Sequence, residues 1–130
     1  MPQKLVIDTD PGIGDALAIA LALLDPEVDV VGITPTAGCV RGREASHNVQ
    51  AIVGLLDPPK WPRMGWTEGP STTSLVSGGP NPRILNGRTG LGDLETPVAE
   101  PHQRHESAKL LIDLVRTHPH ELTVLTLGPL

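Results

Sequence analysis

The stretch KLVIDTDPGIGDA, residues 4–16, constrains the fold of this chain more than any other part of the sequence. Its apolar run LVI at 5–7 is typical of a short strand that is covered on both faces. A proline and a glycine then turn the chain, and Asp15 is expected in the first turn of a helix. Because side chains alternate along a strand, Asp8 and Asp10 are expected to leave its end on the same side.

Three carboxylates therefore gather within eight residues, at Asp8, Asp10 and Asp15. Like charges at this spacing repel one another unless a positive group lies between them. A divalent cation is the simplest such group, and calcium accepts carboxylate and carbonyl oxygens in a loose cage. Asp, Pro and Gly are also ordinary turn and capping residues, which is the better explanation for any one of these aspartates alone. The three together favour a cation site.

Strand and helix patterns alternate along the rest of the chain. The predicted elements are, in order, a strand at 5–7, a helix at 15–24, a strand at 28–34, a helix at 43–56, a short strand within 62–66, a helix at 107–115 and a strand at 122–127. Such alternation is typical of the α/β class, with an open, mostly parallel sheet and flanking helices. Loops that leave the carboxyl ends of separate strands are expected to meet over one site.

Apolar spacing predicts which helix faces are buried. The helix at 15–24 is apolar almost all round and is expected to be deeply buried. The inner face of the helix at 43–56 is predicted to comprise Ala45, Val49, Ile52, Val53 and Leu56. That of the helix at 107–115 is predicted to comprise Ala108, Leu111, Ile112 and Val115. The stretch 58–101 has little periodicity and is interpreted as a lid, a binding loop or a segment that needs a partner.

The composition limits the class of protein. A chain of 130 residues predicts a single domain. The formal net charge is −5 and no basic run is present, so nucleic acid is not an expected partner. One cysteine cannot form an internal disulfide, which fits a reducing compartment. The start of the chain does not resemble a signal peptide, and the apolar run at 16–24 is too short for a bilayer, so we expect a cytoplasmic protein with no membrane partner.

Four segments, in order along the chain, carry a family resemblance. They are DTDPGIGDA at 8–16, VGITPTAG at 31–38, TGLG at 89–92 and LTLGPL at 125–130. Together they resemble the inosine-uridine preferring nucleoside hydrolases, which implies a Rossmann-like nucleoside hydrolase fold. Members of that family are more than twice this long. The resemblance therefore implies that residues 1–130 are the N-terminal part of a single, truncated domain that is inactive alone.

The resemblance also implies roles for individual residues. Asp10 and Asp15 would ligate Ca2+, and Thr126 would add its backbone carbonyl oxygen. Asp10 would also act as the general base on a calcium-bound water that attacks the anomeric carbon of a ribonucleoside. Asp8 would be a structural hydrogen-bonding residue. The expected activity of the full-length protein is hydrolysis of the N-glycosidic bond to a free base and ribose, and we expect a homo-oligomer.

Three substrate-binding positions depart from the family pattern. Gly14 stands where the family has an aspartate, Cys39 where it has an asparagine, and Asn86 where it has a histidine. These differences support a second hypothesis, a non-catalytic or substrate-altered relative that binds a nucleoside or a sugar. Residues beyond Leu130 would decide the base preference.

Other signals have more ordinary interpretations. The glycines around Ile13 do not continue into a dinucleotide-binding motif, and the flanking aspartates would repel a phosphate. Cys39 lies on a loop near the proposed site, but a lone cysteine is more often a small buried apolar residue than a nucleophile.

Histidines and tryptophans supply two further alternatives. Four histidines form two close pairs, His102 with His105 and His118 with His120. Such spacing suits a transition metal, but without a cysteine or a third clustered ligand we favour solvated histidines. Trp61 and Trp66 could stack on a base, although tryptophans in such loops more often pack the loop onto the core.

Overall fold

The computed structural model of the chain describes residues 1–70, 82–98 and 101–129. Its elements are β1 (Gln3–Thr9), α1 (Ile13–Leu24), β2 (Val28–Pro35), α2 (Gly42–Leu56), β3 (Arg63–Met64), α3 (Pro82–Asn86), α4 (Ser107–Thr117) and β4 (Leu122–Thr126). The four strands pair in parallel in the order β3-β2-β1-β4. The predicted α/β class with a parallel sheet and flanking helices is therefore confirmed.

The centre of the sheet is buried on both faces. Val6 and Ile7, neighbours in β1, are both fully buried because helices cover the two sides of the strand. Ile7 packs in a cluster with residues of α1 and α2, which contribute among others Ile19 and Val49. Val6 packs on the other side against α4. The molecule thus has three layers, and β1 runs through the middle one.

The helix α2 buries the face that its spacing predicts. The buried or half-buried side chains on this face are Ala45, Val49, Ile52, Val53 and Leu56. At the start of the helix, the backbone N–H of Arg41 donates to Oε2 of Glu44 at 2.9 Å. The helix ends at Asp57, which takes a left-handed conformation with φ of 43°.

The prediction that α1 is deeply buried is wrong. Ile19 is fully buried against the sheet, but Leu17, Leu21 and Leu24 are 65%, 74% and 62% exposed. Only one face of α1 meets the sheet, and within the described residues nothing covers the opposite face. An apolar pattern shows that a helix can be buried on every side, but it does not show that partners exist for every side. In the described part of the chain, no helix has the length and apolar character needed to cross a membrane.

The predicted inner face of α4 is wrong in part: Leu111 packs against the core as predicted, but Ala108, Ile112 and Val115 are exposed. Leu110 and Leu114 are the buried residues of this helix, each 2% exposed, whereas Ile112 and Val115 are 51% and 47% exposed. The helix is rotated about its axis relative to the prediction because Gly32 of β2 leaves room for Leu114. A Cβ atom on Gly32 would lie 2.4 Å from Cδ1 of Leu114.

The aperiodic stretch 58–101 contains two short elements. The short strand predicted within 62–66 is confirmed as β3, and Trp66 adds an isolated bridge to Glu106. The sequence pattern missed α3, which has only five residues. The remainder of the prediction for this stretch falls partly on residues 71–81, 99 and 100, which lie outside the described residues.

Candidate functional site

Three loops meet at the carboxyl edge of the sheet, around the end of β1. The loop after β4 joins it through the N–H of Leu127, which donates to the carbonyl oxygen of Asp8 at 2.8 Å. The loop after β2 joins it through the N–H of Thr36, which donates to the carbonyl oxygen of Thr9 at 2.8 Å. The predicted convergence of these loops is confirmed, and it follows from the parallel pairing of β1 with both β2 and β4.

The Asp10 carboxylate is held by the loop after β2. The backbone N–H of Cys39 donates to Oδ2 of Asp10 at 2.8 Å. Gly38 permits this approach, since a Cβ atom at that position would lie only 2.1 Å from the same oxygen. The carboxylate is therefore oriented by backbone atoms, and a side chain at position 38 would displace it.

The Asp15 carboxylate lies in the first turn of α1, as predicted. The hydroxyl of Thr9, which is fully buried, donates to Oδ2 of Asp15 at 2.9 Å. Burial raises the pKa of Asp15, and the charge of Asp10 and a hydrogen bond with it raise the pKa further. The carboxyl groups of Asp10 and Asp15 thus lie close enough to repel one another when both are ionised.

Asp8 precedes Thr9 in β1, so its side chain is on the other face of the strand, and it is hydrogen-bonded to β2. Its Oδ1 accepts a hydrogen bond of 2.8 Å from the hydroxyl of Thr34. Burial, with a smaller contribution from the charge of Asp10, raises the pKa of Asp8. Thr126, the last residue of β4, is its partner in the sheet register. A cleft of about 360 Å³ opens beside Asp8 and Thr126, and neither Asp10 nor Asp15 is among its lining residues.

The residues brought together here fit part of a calcium site. Asp10 and Asp15 present two partly buried carboxylates whose mutual repulsion a cation would offset. Calcium takes about six to eight oxygen ligands, many of which can be carbonyls. Among residues 1–70, 82–98 and 101–129, no group of three His, Cys, Asp or Glu side chains is arranged to hold a metal ion. Further oxygen ligands, such as the Thr126 carbonyl, are therefore required, and the predicted ligand set stays a prediction.

Two of the three residues that depart from the family pattern, Gly14 and Asn86, lie near the start of α1 in the folded chain. Gly14 has helical surroundings, and a Cβ atom there would meet nothing within 4 Å. Its φ is not positive, so the turn does not require glycine at this position. Asn86 caps the helix from a distant part of the sequence, since its Oδ1 accepts the N–H of Ile13 at 3.0 Å. The substrate-binding roles predicted for Gly14 and Asn86 remain untested.

The third departure, Cys39, places its thiol against the turn. Sγ of Cys39 donates to the carbonyl oxygen of Asp10 at 3.0 Å. Burial raises the pKa of this thiol to about 12, and the charge of Asp10 acts in the same direction. A thiol with such a high pKa is almost wholly protonated near neutral pH and is a poor nucleophile.

We therefore expect Cys39 in the native protein to react with iodoacetamide at pH 8 at least about tenfold more slowly than in guanidinium chloride, because the thiolate is the reactive form. Mass spectrometry of the peptide that contains Cys39 would follow the reaction. The unfolded chain is the matched control, since it has the same thiol without burial or the neighbouring carboxylate. Equal rates in the two states would restore the nucleophile interpretation.

The four paired histidines and Trp66 follow their ordinary interpretations, whereas Trp61 does not. His102, His105 and His120 are exposed and His118 is half-buried, in agreement with solvated side chains. Trp66 is 5% exposed, and its ring meets that of His47 edge to face at 5.4 Å between centroids. Trp66 therefore packs a loop onto the core, whereas half of Trp61 is exposed.

Sequence reasoning missed the residues that hold the carboxylates. Thr9 and Thr34 are 0% and 1% exposed, and each donates a hydrogen bond from its hydroxyl to an aspartate of the site. Asn48 of α2 is 6% exposed and bonds to the turn itself. A threonine inside a β-branched strand is unremarkable on its own, but an asparagine within an apolar helix face is a signal that could have been recognised.

The chain is similar in sequence and structure to known nucleoside hydrolases. It is 36% identical to uridine nucleosidase 1 of Arabidopsis thaliana, over 98% of this chain and 38% of that protein. It is 32% identical to the inosine-uridine preferring nucleoside hydrolase of Leishmania major, over 100% of this chain and 41% of that protein. A solved purine-preferring ribonucleoside hydrolase from Gardnerella vaginalis matches with a TM-score of 0.80 at 31% identity, over 97% of this chain and 40% of that one.

The chain thus spans about two fifths of the length of the relatives that it matches. A family model described as inosine-uridine preferring nucleoside hydrolase matches residues 5–130, which is almost the whole sequence. The fold, the order of the motifs and this match agree. The chain belongs to the inosine-uridine preferring nucleoside hydrolase family.

Proposed function

We propose that the complete protein hydrolyses the N-glycosidic bond of ribonucleosides and that this chain supplies the part of the site around Asp10. The observation that carries the proposal is the pairing of Asp10 and Asp15 at the carboxyl edge of a parallel sheet. Parallel sheets of this kind bind ligands at that edge. Membership of a family of nucleoside hydrolases supports the reaction class.

Asp10 is the residue that we propose as the general base. Its carboxylate is oriented by the N–H of Cys39 at 2.8 Å, so it does not depend on a mobile side chain for its position. It would take a proton from the water that attacks the anomeric carbon. The bond between that carbon and the base nitrogen breaks, the electron pair leaves with the base, and the departing base takes up a proton. The negative charges of Asp10 and Asp15 stabilise the positive charge that develops on the sugar.

Calcium is proposed as the cofactor of this site. Asp10 and Asp15 would hold it together with the carbonyl oxygen of Thr126, which ends the neighbouring strand β4. When bound, calcium supplies a Lewis acid that lowers the pKa of water at the site. Burial and the charge of Asp10 raise the pKa of Asp15, and a cation between the two carboxyl groups would favour the ionised form of Asp15.

The deciding experiment measures reducing-sugar release by the complete protein from purine and pyrimidine ribonucleosides. We expect release in the presence of calcium and a fall to background after a chelator is added, because the site then loses its cation. Restoration by added calcium would show that the chelator had not unfolded the protein. Release that is unchanged by the chelator would contradict the metal-dependent mechanism, and no release from any ribonucleoside would contradict the proposed reaction.

A second candidate function is binding of a nucleoside or sugar without cleavage. The observations that favour it are the three departures from the family pattern, Gly14, Cys39 and Asn86. In this structure Cys39 bonds to the backbone of Asp10, and Asn86 caps α1. Saturable binding of a ribonucleoside in equilibrium dialysis, with no base released over many hours, would favour this candidate.

A further inference from the structure

Asn48 joins three segments around the site, although it has no charge and lies on α2. Its side-chain nitrogen donates to the carbonyl oxygen of Pro11 at 3.3 Å and to that of Thr89 at 2.7 Å. Pro11 belongs to the turn between Asp10 and Asp15, and Thr89 belongs to the loop that follows α3. The side chain of Asn48 is 6% exposed, so water does not compete freely for these bonds.

The two carbonyl groups that Asn48 contacts, those of Pro11 and Thr89, suit a short primary amide as their shared donor. The first carbonyl of the α1 ladder is that of Gly12, which accepts the N–H of Ala16 at 3.0 Å, so the carbonyl of Pro11 lies outside the ladder. The carbonyl of Thr89 lies in an irregular loop and also needs a donor. The NH2 group of asparagine carries two hydrogens and can satisfy both carbonyls at once. An aspartate at this position would offer no donor, and a serine would offer one on a shorter side chain.

The loop and the turn are also in close contact at two other points. Oδ1 of Asn86 accepts the N–H of Ile13 at 3.0 Å, just before Asp15. Gly90 has a φ of 87°, and a Cβ atom there would lie 2.9 Å from the carbonyl oxygen of Pro11. With such close packing, a shift of the loop relative to α2 would move the turn as well.

We infer that Asn48 is a positioning residue, whose amide fixes the loop 86–92 against the turn 10–15 and so sets the placement of Asp10 and Asp15. The contact that Asn48 makes between the loop and the turn consists of its own hydrogen bonds and does not depend on the proposed function. Its consequence for catalysis rests on the proposed function, because Asn48 would act through the two carboxylates.

The test compares Asn48→Ser with the matched control Ser46→Ala in the complete protein. Ser46 is fully buried on the same helix, but its hydroxyl donates to Gly42 and accepts the N–H of Thr67, away from the turn. We expect Asn48→Ser to raise both the KM for a ribonucleoside and the half-saturating calcium concentration by about tenfold. Ser46→Ala should lower the thermal midpoint and leave both kinetic quantities within about twofold of wild type. Asn48→Gln, which keeps the two donor hydrogens but carries them one methylene further from the backbone, is the second variant if Asn48→Ser does not fold, and a rise in the same two quantities is expected.

The outcomes separate this inference from the proposed function. If Asn48→Ser lowers only the thermal midpoint, Asn48 is merely structural and the inference is overturned, while the hydrolase stands. If the wild-type protein releases no sugar, the proposed function fails, and calorimetric titration with calcium chloride decides the inference. Weaker calcium binding by Asn48→Ser than by wild type would then support it, whereas equal binding, or no binding by wild type, would overturn it.

Discussion

Replacing Asp10 with asparagine in the complete protein is expected to lower kcat for ribonucleoside hydrolysis by ~10²–10⁴-fold. The amide of asparagine cannot take a proton from the attacking water at neutral pH, whereas the carboxylate of Asp10 can. The replacement keeps the size of the side chain, and its carbonyl oxygen can still accept the N–H of Cys39, now 2.8 Å from Oδ2. The expected loss therefore reflects charge and basicity and does not reflect a change of shape.

The stability of this variant provides an internal check. The charge of Asp10 raises the pKa of both Asp8 and Asp15, so its removal relieves a repulsion in the calcium-free protein. We therefore expect a thermal midpoint for Asp10→Asn at least as high as that of wild type without calcium. Initial rates of reducing-sugar release and thermal melts would be measured on the same preparations.

Asp25→Asn is the matched control for Asp10→Asn. Asp25 is exposed and lies at the opposite end of α1, where it accepts the N–H of Glu27 at 2.9 Å. The same chemical change there should leave kcat unaltered. If Asp10→Asn also retained the wild-type rate, Asp10 would not be the general base, and the mechanism proposed for this site would be wrong.

The sequence predicts the local elements of the site because their signals lie within a few residues of one another. The strand that ends before Asp10, the turn after it and the start of α1 at Ile13 all depend on neighbouring residues. The convergence of loops also follows from the sequence, since alternating strands and helices give a parallel sheet whose carboxyl ends share one edge.

Contacts between distant residues are not predictable in this way. The bond between Asn86 and Ile13 joins residues 73 positions apart, and that between Thr89 and Asn48 joins residues 41 apart. Each requires the packed tertiary structure before it can form. Neither asparagine belongs to a local pattern that would have identified its partner, so the capping and bridging roles appear only in the folded chain.

The errors on α1 and α4 have a common physical origin. Periodicity shows which residues of a helix are apolar, but the depth of burial depends on what packs against each face. Leu17 and Leu21 of α1 are apolar and exposed, because the sheet covers only the side of the helix that carries Ile19. For α4, the space left by Gly32 selects Leu114 as the inward residue.

The second large effect is expected at Gly14, where the family has an aspartate. Gly14→Asp should raise kcat/KM for ribonucleosides by about 10–100-fold, the value of one charge-assisted hydrogen bond to a sugar hydroxyl. The structure accommodates the change, because a Cβ atom at this position meets nothing within 4 Å and the backbone is helical. A carboxylate in the first turn also interacts favourably with the helix dipole, which offsets repulsion from Asp10 and Asp15.

Two variants separate the charge at position 14 from the mere loss of a glycine. Gly14→Asn adds a side chain of the same size without the charge and should give a smaller gain in kcat/KM. Gly54→Asp makes the same substitution in α2, at another exposed glycine whose Cβ would meet nothing within 4 Å, and should leave activity unchanged. Steady-state kinetics on ribonucleosides would be compared for all four proteins. A gain that is largest for Gly14→Asp, smaller for Gly14→Asn and absent for Gly54→Asp would mean that this chain retains a ribonucleoside site weakened at one contact. A loss at that position would mean that the open space beside Asp15 accommodates a different substrate, because an added carboxylate would then occupy room that the substrate needs.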